Sequence, residues 1–387
     1  MKTKLVFDKI TQAMNQKDFD AILVAGSEMV QYLSGSYHPY ILSHPKTPLW
    51  IYWEKNARPV GIAPALWKND LKREGWLDEV LPYQGTVDLD SDWLSVLQQV
   101  IGDKPKTLGV DLSGWQFAVY NQFCAANPGI KCISVDAWLN DLRMQKTSDE
   151  LALLTDVAYR TDHGINGAIH HITVDRRMTA LTLAEELRVH TQERGIDLYG
   201  YHASARVASG RYVSQLWPLP PVFGYSHIID FAEGEPIRMQ ARTFMDGYWS
   251  DASRMMTMGE PSAEQSQGYQ ALVKLRDFTL TLLRPGMQCA DLFHQVEAYA
   301  RKENILWHSE FGLGHGIGVA PVEKPYLCAG DQTILVEDMV LVLTPIIETT
   351  SGLLFQSNDT VLVQKEGSKV VGWYKDWREP YVPIFSI

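Results

Sequence analysis

Between Phe231 and Gly259 the chain reads FAEGEPIRMQARTFMDGYWSDASRMMTMG, which has the form of two strands joined by a tight turn. Successive side chains of a strand point to opposite faces, so Arg238, Gln240 and Arg242 share one face of the first strand. Asp246-Gly247 carries the chemistry of a hairpin turn, and Tyr248, Asp251 and Arg254 come after it. A guanidinium is a fixed positive charge that a carboxylate can hold through a bidentate, charge-assisted pair. Arg242 and Asp251 are expected to form such a pair, and Arg238 on the same face would favour a carboxylate or phosphate ligand. His315, in Gly314-His315-Gly316-Ile317-Gly318, is the acid/base candidate, because an unperturbed imidazole titrates near 6.5. Gln356 and Asn358 share a strand face by alternation, and with Gln240 and Thr344 they offer neutral hydrogen bonds to a polar ligand.

Elements of two kinds must position these residues. Leu5, Ile10 and Met14 recur at helical spacing, and FDAILVAG after them reads as a buried strand. LWIYWEK, RPVGIAP and EVLPY read as further strands, with a helix starting at Ala65 before the last. SDWLSVLQQVIG is an amphipathic helix, TLGVDL a strand, and WQFAVYNQFCAANPG a helix closed by Pro and Gly. A strand, a link and a long helix capped by Thr147 or Ser148 come next. This alternation predicts a small α/β domain over residues 1–138, succeeded by a second domain over 139–387.

The bulk numbers restrict the function. The chain of 387 residues is 45% hydrophobic and 21% charged, with room for two domains. A net charge of -11 disfavours nucleic acid as a partner. No apolar run approaches the roughly 18 residues of a membrane span, and the N-terminal stretch lacks the apolar core of a secretory signal. Cys124, Cys132, Cys289 and Cys328 have no CxxC spacing and fit free thiols in a reducing cytoplasm.

The hairpin, the Gly-His-Gly-Ile-Gly loop and Asp359-Thr360-Val361-Leu362-Val363 resemble the pita-bread family of methionine aminopeptidase, aminopeptidase P, prolidase and creatinase. SEMVQYLSGSYHPY near the N-terminus is similar to the family's first-domain signature, and Leu142-Arg143 with Lys146, Ser148 and Glu150 to its entry into the second domain. Thr179–Arg194 and Ala290–Asn304 resemble the paired outer helices. The resemblance implies an α+β fold, a creatinase-type N-terminal domain with a C-terminal pita-bread domain, and a homodimer. In creatinase-type dimers the loop of Tyr37, His38 and Tyr40 reaches the partner's site, which by position places Tyr37 and His38 among the ligand-binding residues.

The family's five metal ligands fall on Gln240, Asp251, His315, Thr344 and Asn358, so three are neutral here. Hard divalent ions need anionic oxygens, and no metal or other cofactor is expected. The accessory histidines fall on Val322, beside Glu323, and on Trp217, which offers an aromatic surface for stacking. Creatinase and ectoine hydrolase show that the fold can host altered or metal-free sites. The leading expectation is thus a metal-independent hydrolase or lyase, not a peptidase, acting on a small polar or anionic metabolite. His315, Asp251 and Glu323 would be catalytic; Arg242, Arg238, Gln240, Trp217, Tyr248, Thr344, Gln356, Asn358, Tyr37 and His38 would bind the substrate. Two alternatives stay open: an inactive ligand- or protein-binding module, and an Xaa-Pro peptidase-like metallohydrolase with a rebuilt ligand set.

Overall fold

The computed structural model describes residues 4–37, 48–85, 91–102, 107–174, 179–195, 204–214 and 230–372. Two compact units result, the first through Met1–Arg143 and the second holding most of the remaining chain. In the first unit β1 (Ala21–Val24), β2 (Trp50–Glu54), β3 (Val60–Pro64), β4 (Glu79–Tyr83), β5 (Thr107–Val110) and β6 (Lys131–Ser134) build one sheet in the order β4-β3-β2-β1-β5-β6. All four residues of β1 are apolar and buried, as a strand covered on both faces requires. It pairs parallel to β5 and antiparallel to β2. The first helix, Lys4–Met14, buries Val6, Ile10 and Met14, one helical face, whereas Leu5 is exposed. The helix expected from Ala65 begins later: Ala65–Trp67 is a 3-10 turn that leads into the helix Lys68–Glu74.

The second unit repeats one plan twice, a sheet backed by a pair of helices. Strands β7 (Ser204–Ser209), β8 (Pro236–Met245) and β9 (Tyr248–Thr257) form an antiparallel sheet. Its apolar face, with Val207, Met239, Ala241 and Met256, packs on the helices Ser148–Val174 and Ala180–Gln192 through Ile165, Ala168, Leu183 and Leu187. The second sheet contains β10 (Gly314–Gly316), β11 (Glu323–Tyr326), β12 (Val340–Leu343), β15 (Asp359–Gln364) and β16 (Gly367–Val371), in the order β11-β10-β12-β15-β16. Leu341, Leu343, Val361 and Val363 from it share a core with Leu272, Leu275, Leu292 and Val296 of the helices Ala263–Leu282 and Cys289–Lys302. The small pair β13 (Ile346–Glu348) and β14 (Leu354–Gln356) completes the unit. This is the α+β pita-bread architecture expected from the sequence.

Local chemistry explains where these elements start and turn. Thr179 and Ser262 each close a capping box on the next helix, and the second box (Ser262 with Gln265) marks a helix that the sequence patterns left unassigned. The β8–β9 turn is made by Asp246 and Gly247, both at positive φ (50° and 83°), as a type I′ hairpin requires. Its register runs unbroken from Met245↔Tyr248 to Pro236↔Thr257. Among the described residues no helix is long and apolar enough to cross a membrane, and the four cysteines are free thiols.

Candidate functional site

The β8–β9 register places Arg242 directly opposite Asp251 and Gln240 opposite Ser253. On the other side β7 sets Arg206 opposite Gln240. Cross-strand partners share a face, so Arg206, Arg238, Gln240, Arg242 and Asp251 all point away from the helix-backed face. Asp251 is completely buried. Its Oδ2 accepts from Arg242 Nε (2.9 Å) and Nη2 (2.7 Å), and its Oδ1 from Gln240 Nε2 (3.0 Å) and Asn358 Nδ2 (2.7 Å). Burial by itself pushes the Asp251 carboxyl up. The Arg242 charge and the hydrogen bonds from Gln240, Asn358 and Arg242 outweigh it and hold the group below its ordinary value.

One directional chain extends from this carboxylate. Asn358 donates to Asp251, Gln356 Nε2 donates to Asn358 Oδ1 (3.0 Å), and Arg238 Nη1 donates to Gln356 Oε1 (3.3 Å). Asn358 is held in place by a backbone bridge to Ser253 that joins the two sheets. The structure thus brings Gln240, Arg242, Arg238, Gln356 and Asn358 around Asp251.

His315 sits in β10, between Val342 of β12 and Tyr326 of β11. Its two flanking glycines are needed for close approach: a Cβ at Gly314 would lie 2.0 Å from the Val342 carbonyl oxygen, and one at Gly316 2.2 Å from that of Lys324. The ring Nδ1 lies 2.9 Å from the Gly316 carbonyl oxygen. A carbonyl can only accept, so Nδ1 carries the proton and Nε2 presents a lone pair. Burial lowers the imidazole pKa, against the raising pull of the Gly316 carbonyl and Asp251. A base kept neutral by folding loses its contribution to stability as the pH falls from its unfolded value near 6.5 through the lowered folded one. The ¹⁵N shifts of His315 at pH 6.5 are expected to show the neutral Nδ1–H tautomer; an imidazolium pattern there would contradict this assignment.

Glu323 is buried on β11 in an ion pair with Lys146 Nζ (2.6 Å), a partner 177 positions away. Thr344 comes directly after β12 and donates its backbone N–H to the Leu313 carbonyl (2.8 Å). Tyr248 is buried and, by alternation from Asp251, belongs to the face of β9 opposite the site. Tyr37 belongs to the first unit. Trp217 and His38 lie outside the described residues. Two residues of this region carry no signal in the sequence that would place them here: Arg206, flanked by apolar neighbours on a short strand, and Lys146 in its role as partner of Glu323.

The donor set can be tested against the metal that the pita-bread resemblance implies. Both Asp251 oxygens are filled by hydrogen bonds, and Gln240 and Asn358 contribute amide groups where anionic oxygens would be needed. Among the described residues no group of three His, Cys, Asp or Glu side chains is placed to hold a metal ion. The described residues of this face do not fit a metal centre.

Comparison with known proteins supplies the relationship. Residues 7–145 match the creatinase/prolidase N-terminal domain, and residues 152–365 match metallopeptidase family M24. The Xaa-Pro dipeptidase of Lactobacillus helveticus is 22% identical over 372 residues, 94% of this chain and 95% of that protein. The Xaa-Pro dipeptidase of Pyrococcus horikoshii is 23% identical over 371 residues, 93% and 95% of the two chains. Among solved structures, an X-Pro aminopeptidase from Thermotoga maritima matches with a TM-score of 0.80 at 18% identity, over 97% of this chain and 99% of that one.

These relatives overturn the expectation of a metal-independent hydrolase or lyase that is not a peptidase and acts on a small metabolite: over nearly the whole chain the similar proteins are Xaa-Pro dipeptidases. Neutral residues at ligand positions describe the donor set, and they do not by themselves specify a different reaction. With its C-terminal match spanning more than half of its length, the chain belongs to metallopeptidase family M24.

Proposed function

We propose that the protein is a peptidase acting on short peptides of the Xaa-Pro dipeptide type, bound over the Asp251 face of β7–β9. The observation that carries this reading is the continuous similarity to Xaa-Pro dipeptidases across both units and over about 95% of the relatives' length. Site chemistry supports a peptide ligand. The His315 Nε2 lone pair accepts a proton or an N–H, and a part-exposed guanidinium, Arg242, is available to an oxygen-rich group. A net charge of -11 favours a small molecule over nucleic acid. The homodimer belongs to the same proposal and is supported by the creatinase-type sequence pattern, as cytoplasmic placement is by four free cysteines.

The test is release of free proline from a panel of Xaa-Pro dipeptides, with and without added divalent metal. Proline release that falls by about 100-fold or more in His315→Ala is the expected result, since positioned acid/base groups contribute on that scale. Absence of release from every dipeptide under both conditions would overturn the proposal.

A further inference from the structure

We propose that Arg206, flanked on the same sheet face by Arg238 and Arg242, forms an anion subsite, and that the preferred ligand is a short peptide with an acidic side chain besides its α-carboxylate. The proposal rests on the peptide reading above and narrows its substrate class.

The placement comes from the register. Arg206 lies directly opposite Gln240, while Arg238 and Arg242 are the alternate residues on either side of Gln240. In antiparallel sheets such diagonal neighbours have Cα atoms about 7–8 Å apart, within reach of long side chains. Three guanidiniums therefore meet on one patch that is largely removed from water. Arg238 is almost wholly buried, Arg206 half-buried, and Arg242 one-quarter exposed. Like charges so close repel, and burial adds to the cost. Both effects are visible in the arginines: burial and then Arg206 pull Arg238 down to about 10, and burial and then Arg242 lower Arg206.

Asp251 offsets one of the three charges and is already engaged by Arg242. Glu323 is paired with Lys146 and adds no net charge. The Arg206 guanidinium makes no hydrogen bond or ion pair among the described residues, so its donors await acceptors. A planar guanidinium matches a carboxylate through two parallel hydrogen bonds. An uncharged-side-chain dipeptide brings one carboxylate and one ammonium group. An acidic dipeptide brings a second carboxylate, which suits a patch holding three positive charges and one negative.

The experiment compares Glu-Pro, Ala-Pro and Lys-Pro by affinity (Kd by calorimetry, or KM where the peptide is turned over), with succinate as a peptide-free probe. Glu-Pro is expected to bind about tenfold more tightly than Ala-Pro, and Lys-Pro more weakly than either. Arg206→Met should close the gap between Glu-Pro and Ala-Pro, and Arg206→Lys should keep a reduced gap. The wild type gives an independent readout if a variant misfolds, because the Glu-Pro advantage should shrink between about 50 and about 500 mM salt. Equal affinity for Glu-Pro and Ala-Pro in the wild type would overturn the acidic preference and leave the peptide reading standing. Binding of succinate with no dipeptide bound would overturn both, and would mark the face as a small dicarboxylate site.

Discussion

A variant carrying Gln240→Asp, Arg242→Gly, Thr344→Glu and Asn358→Glu is expected to bind divalent metal at least about 100-fold more tightly than the wild type, a difference of about 2.7 kcal/mol. The four positions are those where the pita-bread pattern places three carboxylate ligands and a glycine. In the wild type the obstacle is specific: Asp251 spends one oxygen on Arg242 and the other on the amides of Gln240 and Asn358. Replacing both amides with carboxylates removes donors and adds hard anionic ligands, the kind divalent cations require. Removing Arg242 takes away the competing cation. Titration calorimetry with Mn²⁺ and elemental analysis of both proteins would decide it. Stoichiometric metal in the purified wild type, or equal affinity in the two proteins, would show that the neutral ligand set has been misread. The same network predicts how single changes behave with pH. The Asp251 carboxyl is held low, so its pairing stabilises the fold above the unfolded value near 3.9 and is lost as the pH falls through the folded value. Arg242→Gly alone should raise that folded value and move the onset of acid unfolding upward.

The hairpin is readable in the sequence because two strong local signals agree there. Period-2 alternation puts Arg238, Gln240 and Arg242 on one face, and Asp246-Gly247 fixes the turn and with it the register to Asp251. Gly314 and Gly316 are readable as punctuation around His315, and the structure supplies their reason, contacts too close for any Cβ. What remains hidden depends on long-range pairing. Arg206 joins the site only through the β7–β8 register, and no local pattern says which strand β7 will meet. The partner of Glu323 lies 177 positions earlier in the chain. The reaction class is misjudged from sequence for a related reason: the three neutral positions 240, 344 and 358 weigh more heavily there than the continuity of the whole chain with its relatives. A ligand set can change at a few positions, whereas a two-unit architecture is specified by contacts spread along the entire chain.

Arg254→Met is expected to destabilise the second unit by about 3–5 kcal/mol, the scale of breaking a buried ion pair by removing one of its members. Arg254 belongs to β9 but, by alternation from Asp251 and Ser253, to the face opposite the site. There its guanidinium is 2% exposed and ties three elements together. Nη2 pairs with Asp162 of the long helix (3.1 Å), and Nη1 lies 3.3 Å from Asp359 on β15. Nη1 also donates to the carbonyls of Ser253 (2.8 Å) and Asn358 (2.7 Å). Asp359 has a second partner, Arg276 Nε at 2.6 Å, which holds β15 to the helix Ala263–Leu282 independently of Arg254. Urea unfolding of the wild type and of Arg254→Met provides the measurement; a loss below about 1 kcal/mol would mean that the network relaxes around the gap. The consequence reaches the site as well. Arg254 grips the backbone of Asn358, whose side chain grips Asp251, so a loosened Arg254 should weaken ligand binding without touching any residue on the ligand's face.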